Sequence, residues 1–139
     1  MAAFNKFQCF VQDVGRGVHN LETGALKVYL SNTAPNAATM AVKADLAEIG
    51  AGGNYTAGGY DVAATYSQSG GVGSLVGTDQ TITASGGAIL TWRYVVLYNS
   101  SSSPATNALI GWWDRVTPVD LADGDSVLID FGATILTVT

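Results

Sequence analysis

The sequence predicts a mainly β protein: a single antiparallel β-sandwich, jelly-roll-like, with an N-terminal amphipathic helix and a second short helix. Short runs rich in β-branched and aromatic residues recur from Tyr60 onward, and glycine-rich or Asp-Gly turn signals separate them. The long crossover helices that a parallel sheet needs are missing. No fixed-period repeat is visible either, which disfavours a solenoid or a propeller.

The elements follow in chain order. Phe4, Phe7, Phe10, Val11 and Val14 fall at helical spacing, and Gly15 and Gly17 follow them, so a helix over roughly residues 3–14 is expected. Its three phenylalanines either pack on the sheet as a lid or dock on a neighbouring subunit. Ala25–Leu30 has strand composition, and Ser31–Asn36 has turn chemistry. Residues 38–49 carry a second short helical pattern around Leu46 and Ile49. The glycine-rich run Gly50–Tyr60 cannot hold a helix and reads as a long loop.

Strands are then expected at Asp61–Ser67, Ser74–Val76, Gln80–Ala84, Leu90–Tyr98, Ala108–Asp114, Val116–Leu121, Ser126–Phe131 and Ala133–Val138. In Leu90–Tyr98, Trp92, Tyr94, Val96 and Tyr98 alternate with Thr91, Arg93, Val95 and Leu97, so both faces become apolar toward its end. That pattern belongs to a central strand covered on both sides. Asp123-Gly124 marks a tight turn. The 139 residues read as one domain, with residues 1–17 as a helical arm and 25–139 as a β-rich body.

Composition narrows the function. Hydrophobic residues make up 47% of the chain, as in a globular protein, but only 12% are charged, about half the usual share. A surface so poor in charge suits a subunit packed against neighbours better than a free monomer. The net charge is −5 and the six Lys/Arg are scattered singly, so nucleic acid is not an expected partner. No apolar run approaches the ~20 residues of a membrane span. The opening MAAFNKFQCF lacks the apolar core of a signal peptide, so cytoplasmic synthesis is expected.

Residues with chemical potential are few. Cys9 is the only cysteine and reads as a small apolar side chain on the helix, and no metal or cofactor site is expected. His19 is the only histidine, and no nucleophile motif accompanies it, so no catalytic residue is expected. Asp120, Asp123, Asp125 and Asp130 lack the ligand spacing of a calcium loop and read as a solvated turn. Gly50-Ala51-Gly52-Gly53 lacks the Gly-Lys-Ser/Thr ending of a phosphate loop. Trp112-Trp113 stands apart: adjacent strand residues face opposite sides, so one indole needs cover from a helix, a loop or a partner.

Several segments together resemble a family of small tailed-bacteriophage virion proteins. They are Phe7–Asn20 (FQCFVQDVGRGVHN), Leu26–Pro35 (LKVYLSNTAP), Ala47–Gly59 (AEIGAGGNYTAGG), Arg93–Asn99 (RYVVLYN), Leu109–Asp114 (LIGWWD) and Leu121–Phe131 (LADGDSVLIDF). The resemblance implies a non-enzymatic head decoration (cement) protein, or a tail-associated one, located in the virion. The major capsid protein is then the expected partner. Capsid lattices offer three-fold positions, so a homotrimer is expected, with Phe4, Phe7, Phe10, Trp112 and Trp113 as candidate contacts. A tail or baseplate protein would instead bind host glycans, with Tyr55, Tyr60 and Trp113 as the aromatic set. A small hydrolase built on His19 is the enzyme alternative.

Overall fold

A computed structural model describes residues 3–139. Its strands are β1 (Phe4–Lys6), β2 (Leu26–Ser31), β3 (Tyr60–Asp61), β4 (Ala64–Ser69), β5 (Val72–Gly77), β6 (Gln80–Thr83), β7 (Ile89–Asn99), β8 (Ala108–Leu121), β9 (Ser126–Ile129) and β10 (Leu136–Val138), with one α-helix, α1 (Gln8–Gly15). All strand pairs are antiparallel. They form a five-stranded sheet in the order β1-β8-β7-β2-β3, a three-stranded sheet β10-β5-β4 and a ribbon β6-β9. The mainly β, antiparallel, sandwich-like expectation holds. The division into five, three and two strands does not of itself define a jelly roll.

The five-stranded sheet is apolar on both faces, as the composition of β7 requires. On one face Val28, Val95, Leu97, Ile110 and Trp113 meet Leu75, Ile82, Ile129 and Leu136 from the smaller sheets. On the other, Tyr29, Tyr94, Val96, Tyr98 and Leu109 are covered by Phe7 and Leu46. The expected alternation along β7 breaks at its start. Register shifts lie between Ile89 and Trp92 and between Trp92 and Tyr94, and Trp92 packs with Val95 and Leu97 rather than with Tyr94. A bulge exchanges the two faces of a strand in this way.

The N-terminal segment differs from expectation. Residues 4–6 form a strand whose Phe4 pairs with Trp113 of β8, and the helix starts only at Gln8. Pairing on the sheet edge satisfies backbone groups that a first helical turn would leave free. Phe4–Lys6 therefore belongs to the sheet. Gly17, at φ 74°, ends the helix: its N–H bonds Val14 O (3.2 Å) and the Val18 N–H bonds Asp13 O (2.9 Å). That pair of bonds is a Schellman cap.

The second expected helix, over 38–49, is only a single 3-10 turn at Lys43–Asp45. The Asp45 carboxylate accepts the Ala41 and Val42 N–H groups (2.9 and 3.0 Å), and Val42 bridges to Ala108. These bonds fold the backbone into a compact cap, so helical propagation stops.

The glycine-rich loop is pinned by Glu48. Its carboxylate accepts Lys43 Nζ (2.6 Å), the Tyr55 hydroxyl (2.6 Å) and the Gly58 N–H (2.8 Å). The Tyr55 oxygen accepts the Leu30 N–H in turn, and the Tyr98 hydroxyl donates to Gly58 O. Burial would raise the Glu48 carboxyl, yet the bonds from Lys43, Tyr55 and Gly58 together hold it below the ordinary range. Gly59, at φ 82°, passes so close to β2 that a Cβ there would collide with Val28 O.

β8 runs unbroken from Ala108 to Leu121, where two strands were expected. Asp123-Gly124 is a turn as expected, but the strands it joins, β8 and β9, belong to different sheets.

Candidate functional site

The most unusual local geometry lies where β8 departs from its partner. Tyr94 pairs with Asp114 and Trp92 with Val119, so the single residue Arg93 stands opposite Arg115, Val116, Thr117 and Pro118. Pro118 cannot donate to the ladder, which suits it to such a bulge. The Arg93 guanidinium grips Asp114 with two bonds, Nε at 2.7 Å and Nη2 at 2.9 Å. Asp114 Oδ1 also accepts the Val116 N–H at 2.7 Å. These bonds, Arg93 first, hold the Asp114 carboxyl below its ordinary range. Arg115 lies over the Trp92 ring at 5.3 Å.

The bulge places Val116 at φ 70°, with 72% of its surface exposed. A β-branched residue in that region is a genuine outlier, and the Asp114 clamp holds it there. Beside it a groove of about 660 Å3 opens, lined among others by Asn5, Val95, Trp113, Leu128 and Asp130. Leu128 is 53% exposed, so Val116 and Leu128 give the groove apolar edges. The arrangement is a rigid apolar prominence next to a concave surface, suited to contact with another molecule.

The contact residues expected from the sequence do not form one patch. Trp113 is buried between Phe4 (ring centroids 5.0 Å apart) and Phe131 (5.2 Å), on one face of the sheet. Phe7 is buried on the opposite face, against the half-buried Trp112 at 4.7 Å. Phe10 is buried beside His19. The two indoles do face opposite sides, but the chain itself supplies their cover. Phe7 and Phe10 are therefore closed to a partner in this fold, and of the five expected residues only Trp113 lines the groove. Val116, Leu128 and the Arg93–Asp114 clamp were not anticipated. The signal for them was Pro118, a residue that strands avoid, inside a strand-like run.

Residues of chemical interest elsewhere act as structural ties. Asn99 Oδ1 accepts the Ser101 N–H and hydroxyl, so its amide donates to His19 Nδ1 at 3.2 Å. Burial pushes the His19 pKa down, with the Asp13 charge opposing. Burial, then the Asp13 charge, pushes the Cys9 thiol up to about 11, so little of it is thiolate at neutral pH. Asp123, Asp125 and Asp130 each accept a backbone N–H at a turn, and Asp120 accepts the Thr91 hydroxyl. Among the described residues no group of His, Cys, Asp and Glu is arranged to hold a metal. Tyr55 and Trp113 are buried and Tyr60 is half-buried, so the three do not form an exposed aromatic set. Among the described residues no helix is long and apolar enough to cross a membrane.

No family model, curated protein or solved structure matches the chain.

Proposed function

We propose that the chain is a non-enzymatic structural protein of a tailed-phage virion, a decoration protein that binds the outer head surface and ties major capsid protein subunits together. The observation that carries this reading is the clamped bulge of β8. Backbone strain persists where surrounding structure over-determines it, and it clusters at functional sites such as ligand clamps. Here it fixes an exposed valine beside an open groove. A decoration protein needs rigid contact area rather than chemistry, and a surface poor in charge is inexpensive to desolvate against a capsid. The resemblance of six segments to phage virion proteins supports the same reading.

Purified protein mixed with undecorated heads and sedimented tests it. The expected result is binding in hundreds of copies per particle, lost in Val116→Asp with the fold retained. Absence of binding would overturn the head assignment. A few copies per virion would move the protein to the tail or baseplate.

A further inference from the structure

We infer that β4 is a self-complementary docking edge that joins two copies of this chain across a two-fold axis. The inference does not rest on the virion reading. In the order β10-β5-β4, one side of β4 faces no other strand. It is the longest such edge among the described residues, six residues against two to four for the others at an edge. Exposed edges are ordinarily blunted by charge, proline, bulges or shortness. β4 has none of these. It pairs with β5 without a register shift, and the chain carries no charged side chain from Val62 to Thr78.

The ladder fixes which backbone groups are free. Thr78 N–H bonds Ala63 O at 2.8 Å, in register with the Ala64–Gly77 pair. Bonded and non-bonded pairs alternate along an antiparallel ladder. Ala63, Thr65, Ser67 and Ser69 therefore point their N–H and C=O groups at β5, while Ala64, Tyr66 and Gln68 point theirs outward. The outward set is symmetric about Tyr66. Placed against a second copy in antiparallel sense, Tyr66 faces Tyr66, and Ala64 faces Gln68 in both directions. Every outward N–H then meets an outward carbonyl, which is the condition for an isologous contact. Thr65 of one copy lies opposite Ser67 of the other, and no like charges meet.

Sedimentation equilibrium of the purified chain, with two variants, tests this. The wild-type mass should double as concentration rises. Gln68→Pro removes one outward N–H at an exposed position, and the mass should then stay monomeric. Thr65→Lys/Ser67→Lys places lysines opposite each other across the axis on exposed side chains. It should also remain monomeric at low salt and guards against a folding defect in the proline variant. A wild-type monomer at every concentration, a trimer, or a dimer that survives both variants would overturn the inference.

Discussion

Replacing Glu48 with glutamine changes one oxygen to an amide nitrogen at the point where the glycine-rich loop is fastened to the sheet. The Glu48 side chain is only 13% exposed and that of Lys43 21%, so neither charge is fully relieved by water. A glutamine carbonyl can keep the bonds from Tyr55 and Gly58, now as neutral bonds. Its amide then points two hydrogens at the Lys43 ammonium, also a donor. Loss of one charge-assisted bond and weakening of two others costs roughly 2–4 kcal/mol. At roughly 3 °C per kcal/mol for a chain of this size, the melting temperature falls by about 6–12 °C. Circular dichroism melts and urea titrations measure both quantities. The acid limb adds a signature. Because the folded carboxyl titrates below its ordinary value, its stabilisation is complete above that value and disappears as pH falls through the folded one. Glu48→Gln should flatten that limb. A loss below about 0.5 kcal/mol, with an unchanged acid slope, would refute the fastening role.

Other perturbations test other parts of the fold. Gly59→Ala drives a Cβ into Val28 O at positive φ, and urea unfolding should show a loss of at least about 3 kcal/mol. Val116→Gly removes the strain of a branched side chain at φ 70° but adds freedom to the unfolded chain, for a net gain of about 0.5–1 kcal/mol. On the proposed decoration role the same variant should bind heads more weakly; separately, a drop in stability would refute the strain. Burial lowers His19 in the fold, so its stability contribution is complete above the ordinary histidine value of 6.5 and falls as pH drops below it. His19→Gln should flatten the stability profile in that window, and an unchanged slope would place the titration elsewhere.

How much was legible in the sequence depended on how local its cause was. β7 was readable because its own side chains are apolar on both faces. The helix end was readable because Gly17 supplies the cap conformation itself. The start of the chain misled, since Phe4, Phe7 and Phe10 sit at helical spacing while Phe4 is held extended by Trp113 from the far end of the chain. A remote pairing overrode local periodicity there. In 38–49 the decisive group was the Asp45 carboxylate, whose capping bonds no periodicity analysis detects. Of the candidate site, only Trp113 was anticipated. Val116 could not be singled out, because its importance comes from a backbone angle set by Arg93 and Asp114.

The pairing of β1 with β8 also bears on how the protein is made. Phe4 finds Trp113 only after more than a hundred further residues have been joined. At synthesis rates of roughly 5–20 residues per second, that is a wait of about 5–20 seconds. Throughout it, Phe7 lacks the Ile110 carbonyl that accepts its N–H and the Trp112 ring that covers it. Phe4–Phe7 are thus made long before the strand that seats them. Ribosome-bound chains stopped before Ala108 should remain open to protease at Phe4–Phe7, and synthesis through β8 should close that segment.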